Sequence, residues 1–141
     1  MRLTSTSFLS LLAVAATPAF ATNFAVEVGA NNNFVFSPDS ISGAVAGDTI
    51  TFSFTSRNHS ATTTTFTSPC PPPPGGVGPN GFDTGFHVSP ESAVVTLQDS
   101  GIHFVSCMQA AGAHCRAGMV FVVNPTEEQS VAAFATNARN S

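Results

Sequence analysis

Apolar residues alternate with polar ones along much of the chain. Phe24, Val26 and Val28 share one face with Glu27 on the other, and Ile50, Phe52 and Phe54 are set against Thr49, Thr51, Ser53 and Thr55. A period of two puts successive side chains on opposite faces of a strand, so both runs read as half-buried strands. Residues 94–98, 102–107 and 119–124 read as further strands, with Gly47-Asp48 and Asp99-Ser100-Gly101 as turns. Several short strands without helical periodicity between them predict an antiparallel sandwich or barrel. One strand conflicts with a simple reading. If Cys107 points inward, Val105 and His103 share its face and leave Ile102 and Phe104 on the other. Either a bulge shifts the register or both faces are covered.

Three segments depart from this pattern. Residues 67–91 form a long loop in which Pro71-Pro72-Pro73-Pro74 favours a stiff extended stretch and Gly75-Gly76 breaks it. Loops of this length decorate the surface, bind a partner or stay disordered. After Pro125, Thr126-Glu127-Glu128-Gln129 has the form of a helix-capping box, and Val131, Ala132, Phe134 and Ala135 supply a short apolar stripe. A short C-terminal helix or tail is therefore expected over 126–141. At the other end, Arg2, the apolar run 8–16 and Ala19-Phe20-Ala21 have the form of an export signal with its cleavage site. That apolar run is too short to span a bilayer. The expected organisation is a leader over 1–21, one domain over 22–125, and the terminal helix, released from the cell without a lipid anchor.

Beyond residue 21 the chain carries three arginines, no lysine and eight carboxylates, a net charge of −5. Nucleic acid and anionic membranes both require a basic face, so neither is an expected partner. Export also decides how the three cysteines are read, because disulfides persist outside the cell and an odd count leaves one thiol over. Three pairings of Cys70, Cys107 and Cys115 are open, and two of them consume Cys107.

Cys107 has chemically telling company. His114 and Met119 follow it within thirteen residues, and His59 lies upstream after the best-defined strand. A thiolate, two imidazoles and a weak thioether suit copper, since soft sulfur stabilises Cu(I) while imidazole accepts both oxidation states. Met119 also has the reading of plain core filler, as it precedes Val120, Phe121, Val122 and Val123. His87 and His103 lack such company and are read as structural, with His87 the reserve candidate. Asn58-His59-Ser60 is a glycosylation sequon. A glycan there would hinder closure around a ligand, so Asn58 is expected to be unmodified and to brace the ligand loop by hydrogen bonding.

Taken together, Asn58-His59-Ser60, Thr67-Ser68-Pro69-Cys70, Gly81-Phe82-Asp83-Thr84-Gly85-Phe86 and His114-Cys115-Arg116-Ala117-Gly118-Met119-Val120 resemble the cupredoxins, in their phytocyanin-like and fungal secreted branch. The resemblance spans most of the chain from Phe24 to Pro125. It implies a Greek-key β-sandwich or barrel holding one copper ion. His59, Cys107 and His114 would be the equatorial ligands and Met119 the axial one. It further implies a Cys70–Cys115 disulfide. Six residues separate Cys107 from His114 where four is the familiar plant spacing. The extra ones fall among Ala110, Ala111, Gly112 and Ala113, which are small enough to bulge outward.

The expected protein is a secreted, monomeric one-electron carrier and not an enzyme. Its redox partner cannot be named from the sequence. Copper capture or buffering, and a structural wall-associated domain with a vestigial site, are the rival roles. Multicopper oxidase chemistry needs several centres and more than the four histidines present.

Overall fold

The computed structural model describes residues 13, 15, 16 and 19–141, so most of the expected export leader lies outside the described residues. In chain order the first strands are β1 (Asn23–Val28), β2 (Phe36–Ser37), β3 (Ser40–Ile41), β4 (Thr49–Phe54), β5 (Asn58–His59) and β6 (Thr62–Thr64). They are followed by β7 (His87–Val88), β8 (Ser92–Thr96), β9 (His103–Ser106), a helical turn α1 (Ala113–Arg116), β10 (Val120–Val123) and helix α2 (Val131–Arg139).

One sheet has the order β2-β1-β4-β8 and the other β3-β10-β9-β6, while β5 and β7 form a small ribbon. The expected sandwich is present, but its pairing is mixed. β1 runs parallel to β4, and β3 runs parallel to β10. After β1 the chain visits both sheets, through β2 and β3, before it returns as β4, and a crossover of that length permits parallel pairing. Alternation reports which face a residue takes and not the direction of its neighbour, so this feature leaves no trace in the pattern.

The core lies between the sheets. Val26, Val28, Ile50, Phe52 and Phe54 meet Phe36, Val105, Phe121 and Val123, with Cys107 and Met119 in the same cluster. Phe36, Phe52 and Phe121 touch one another with ring centroids 5.8–6.2 Å apart in edge-on and tilted arrangements, the geometry aromatic quadrupoles favour. A second apolar cluster covers the opposite face of the second sheet. There Phe134, Ala138, Val131 and Ala135 of α2 pack on Val120, Val122, Ile102 and Phe104, with Phe66 and Cys115 alongside. This resolves the conflict in residues 102–107. β9 pairs with β10 in unbroken register, and both of its faces are covered.

Helix α2 starts later than the capping-box pattern suggests. Ser130 is its N-cap, accepting a hydrogen bond from the Ala133 amide at 3.2 Å. Thr126 instead closes a turn upstream, its hydroxyl accepting from the Gln129 amide at 3.0 Å while its own amide donates to the Gln129 carbonyl. Glu127 and Glu128 therefore lie outside the first helical turn. The buried stripe decides the boundary: Val131 is the first residue that packs on the sheet, and Ser130 directly precedes it.

The long loop is tied down along its second half. Phe82 packs against the core, and the Thr63 hydroxyl accepts hydrogen bonds from the Val77 and Phe82 amides. The Asp83 carboxylate accepts from the Thr62 hydroxyl and from the Gly75 and Gly85 amides. A Cβ at Gly81 would run into the Val77 carbonyl, so only glycine lets the loop close this tightly.

Candidate metal centre

β9 and β10 are antiparallel neighbours, so the residue after one and the residue before the other come to the same end of the sandwich. Those residues are Cys107 and Met119. The connection between them carries His114 on α1, and β5 delivers His59 to the same end. His59 Nδ1 and His114 Nδ1 are 3.1 Å apart, and Cys107 Sγ lies 3.8 Å from the first and 3.7 Å from the second. A point equidistant from these three atoms is about 2.1 Å from each, within the roughly 2.0–2.3 Å of first-row metal bonds to imidazole and thiolate. Among the described residues this is the one grouping of His, Cys, Asp and Glu side chains that converges so closely, and all three are buried.

Burial sets the charge state of the cluster. It holds both imidazoles below their usual pKa, His59 at about 4, with repulsion from His114 and then Arg57 adding to the effect. His114 is lowered by burial and then by Arg57. Burial also raises the Cys107 thiol, against opposing hydrogen bonds from Ser60 and Gln109. Three neutral donors thus face one point, with two ring nitrogens in near contact and no carboxylate beside them. A soft cation satisfies that arrangement, and a thiolate with two imidazoles and a thioether nearby is a donor set for copper.

The surroundings fix the thiol's position. The Ser60 and Gln109 amides donate to Cys107 Sγ at 3.4 and 3.5 Å, and the Ser60 hydroxyl accepts from the Met108 amide at 2.9 Å. Asn58 Nδ2 donates to Gln109 Oε1 at 3.2 Å, joining the His59 segment to the loop that follows Cys107. In that loop Ala110, Ala111 and Gly112 adopt left-handed backbone in succession, with φ of 54°, 52° and 87°. The turn leaves Ala110 and Ala111 at the surface and feeds directly into α1. Gly112 is required twice over, by its φ and because a Cβ there would lie 2.9 Å from Pro71 Cβ. Pro71 is held in place by the Cys70–Cys115 disulfide, and Cys107 is the free cysteine.

Two participants have no signature in the sequence. Phe34 stacks on the His114 ring, with centroids 4.1 Å apart and planes inclined by 24°, and meets His59 edge-on at 6.4 Å. The Arg57 guanidinium lies over the Phe34 ring, 5.2 Å from its centroid. His114 is in consequence only 9% exposed. Phe34-Val35-Phe36, following three asparagines, is too short a run to show that Phe34 reaches a histidine eighty residues on. His87 lies outside the cluster, its Nδ1 2.9 Å from Glu91 Oε2 and its Nε2 2.8 Å from the Thr84 carbonyl. His103 is bound to Asp99 near the opposite end of β9. Met119 is fully buried in the inner core, and its amide donates to the His114 carbonyl at 3.2 Å.

Neither a protein-family model nor a curated protein matches this sequence. Solved structures do. The pseudoazurin of Hyphomicrobium denitrificans is 26% identical with a TM-score of 0.51, over 73% of this chain and 74% of that one. The auracyanin of Roseiflexus castenholzii is 16% identical with a TM-score of 0.53, over 75% of this chain and 98% of that one. The copper-containing nitrite reductase of Thermus scotoductus is 17% identical with a TM-score of 0.52, over 82% of this chain and 25% of that one. The chain has the cupredoxin fold, and its His59–Cys107–His114 cluster, with Met119 nearby, fits a single copper ion. These likenesses define the fold class and select no branch within it.

Proposed function

We propose that the protein is a secreted one-electron carrier in which Cys107, His59 and His114 would hold one copper ion, with Met119 as a further, weaker donor. The observation that carries this reading is the closed triangle of buried donors, 3.1–3.8 Å on a side. Copper bound there supplies a one-electron Cu(I)/Cu(II) couple. The chain does the rest. Cys107, kept protonated by burial, releases its proton on loading, and the Ser60 and Gln109 amides then stabilise the thiolate. Both imidazoles are already neutral at neutral pH and offer their lone pairs without a proton loss of their own. The donors stand on separate elements joined by the disulfide and by Asn58–Gln109, so the cage changes little between oxidation states. His114, the one donor of the three with any exposure, and the Phe34 ring stacked on it offer a route from the donors toward the surface.

A single site of this kind carries electrons rather than transforming a substrate, and the chain matches only a quarter of the nitrite reductase's length. The disulfide suits an oxidising compartment, in keeping with a leader over 1–21 ahead of the domain over 22–125. Copper capture is the second reading, favoured by the near-complete burial of all three donors beneath Phe34. Titration of the purified protein with Cu(II) tests both. An intense blue thiolate-to-copper band is expected, and a colourless product would defeat the two together. Fast electron self-exchange then selects the carrier, and slow exchange with very tight binding selects capture.

A further inference from the structure

We infer that β8 is an open sheet edge through which two copies of this chain pair, strand against strand, into a weak symmetric dimer. The inference is independent of the copper reading and departs from the monomer expected from the sequence. An edge strand presents unpaired N–H and C=O groups, and folded proteins blunt such edges by shortness, proline, charge or a covering segment. The two sheets end in β2 and β8, and in β3 and β6. Three of these four edges are blunted. β2 and β3 have two residues each and are joined by Pro38 and Asp39. β6 is covered by residues 82–84, where the Thr63 amide donates to the Phe82 carbonyl at 2.8 Å and the Thr84 amide to the Ala61 carbonyl at 3.0 Å. β8 is five residues long, Ser92-Ala93-Val94-Val95-Thr96, with neither proline nor charge.

Backbone direction alternates along β8. The Glu91 carbonyl accepts from the Phe54 amide at 2.9 Å, and the Leu97 amide donates to the Asp48 carbonyl at 2.8 Å, so both residues turn their backbone toward β4. Antiparallel partners alternate between hydrogen-bonded and non-hydrogen-bonded pairs. Ala93 and Val95, opposite Phe52 and Ile50, therefore complete the ladder, and Ser92, Val94 and Thr96 turn their backbone groups outward. Among the described residues, the one partner at this edge is the exposed Gln98 side chain, whose amide donates to the Thr96 carbonyl at 3.2 Å. The same three residues carry exposed side chains. Val94 is 63% exposed, more than any other large apolar residue after Phe20.

The edge is complementary to itself. In antiparallel pairing about a twofold axis at Val94, that residue faces its own copy, Ser92 faces Thr96, and Ala93 faces Val95. The outward-turned residues then all fall in hydrogen-bonded pairs, each exchanging two bonds. No carboxylate meets another, since the next pair places Glu91 opposite Leu97. A five-residue strand is roughly 17 Å long, too short an edge for the roughly 1,200 Å² at which stable interfaces begin, so the dimer is weak and concentration-dependent. Ser92 lies opposite Ser53, at the end of β4 from which the chain runs on to β5 and His59. The twofold therefore sets the two donor clusters at opposite ends of the joined sheet and covers neither.

Sedimentation equilibrium and amide hydrogen exchange of the full chain test this. In about 0.15 M salt the mean mass should rise reversibly toward that of a dimer as the protein is concentrated to about 1 mM. Over the same range the Ser92, Val94 and Thr96 amides should exchange at least ~3-fold more slowly, while those of Ala93 and Val95, bonded to β4, stay protected throughout. A constant mass, or a dimer in which residues 92, 94 and 96 exchange as before, overturns the proposal. Val94→Pro removes an outward N–H without taking a bond from β4, a position where an edge strand tolerates proline. It should raise the dissociation constant at least ~10-fold, as should Val94→Lys, which sets two cations opposite each other. Val45→Lys charges another exposed apolar residue, in the turn before β4, and should leave association unchanged. Equal weakening by Val45→Lys, or no weakening by either Val94 variant, would show contact through another surface and overturn the β8 edge.

Discussion

The strands β9 and β10 serve two different layers from their two faces. On the inner face Val105, Cys107, Met119, Phe121 and Val123 join the phenylalanine core and run out into the ligand cluster. On the outer face Phe104, Val120 and Val122 lie under α2, beside the Cys70–Cys115 disulfide. Period-two alternation does the sorting: Cys107 is two residues beyond Val105 and falls inside, whereas Cys115, on α1, faces out toward Phe134. One sulfur stays free at the donor triangle while the other is oxidised. The donors thus share the inner face with the main core, while the α2 layer on the outer face is separate from them, so damage to the outer layer should cost stability without reaching the site, and loss of a single donor should cost the site without unfolding the chain.

The most severe change should be Cys107→Ser. The hydroxyl can still accept the Ser60 and Gln109 amides, so the fold should persist, whereas the charge-transfer band should vanish entirely because Cys107 is the free thiol. Visible titration paired with a thermal melt checks this. A variant that keeps its colour places the site elsewhere, and one that unfolds shows the layers are not independent. Phe134→Ala is the reverse experiment. It removes a fully buried ring from the outer layer and should cost about 3–5 kcal/mol in chemical denaturation while the copper spectrum stays unchanged. The disulfide is where the layers meet. Replacing Cys70 and Cys115 together by alanine should cost roughly 2–5 kcal/mol and also weaken copper binding, because Cys115 adjoins His114.

Acid should reach the fold through the donor layer. Both cluster histidines titrate lower in the folded, metal-free protein than in the unfolded chain, His59 near 4 against 6.5. Between those values the unfolded chain binds more protons, so stability falls as pH falls through that window. The loss from His59 approaches about 3 kcal/mol near pH 4. Denaturation curves at several pH values, with and without copper, check the sign. Copper should delay the loss, since bound imidazoles cannot take up protons. A metal-free protein of constant stability across the window would mean the histidines are not buried as a pair.

What was legible in the sequence followed from length and chemical rarity. β1 and β4 are each six residues long and show their period plainly, whereas β2, β3, β5 and β7 have two residues apiece, too few to display one. Parallel pairing was invisible because alternation carries no direction. The convergence of His59, Cys107 and His114 could be anticipated because few elements want that donor combination. Phe34, Ser60 and Arg57 could not, since their roles come from where distant loops meet. The helix start was misplaced because Thr126-x-x-Gln129 closes a turn as readily as it caps a helix; burial of Val131, which only packing reveals, decided between them.

The subtlest test concerns Met119, which belongs to the inner core by burial and to the site by proximity. If it is an axial ligand, its loss should tune the copper without evicting it. Thioether sulfur favours Cu(I) and an amide oxygen favours Cu(II), so Met119→Gln should lower the reduction potential while the protein stays blue. Leucine offers no donor at similar volume, so Met119→Leu should raise the potential and disturb packing little. If Met119 is only core filler, Leu should match the wild type in potential. Gln would then mainly destabilise the fold, by about 1–3 kcal/mol, through an unpaired buried amide. Voltammetry of the three proteins decides: potentials ordered Leu above Met above Gln support ligation, and equal potentials return Met119 to the core.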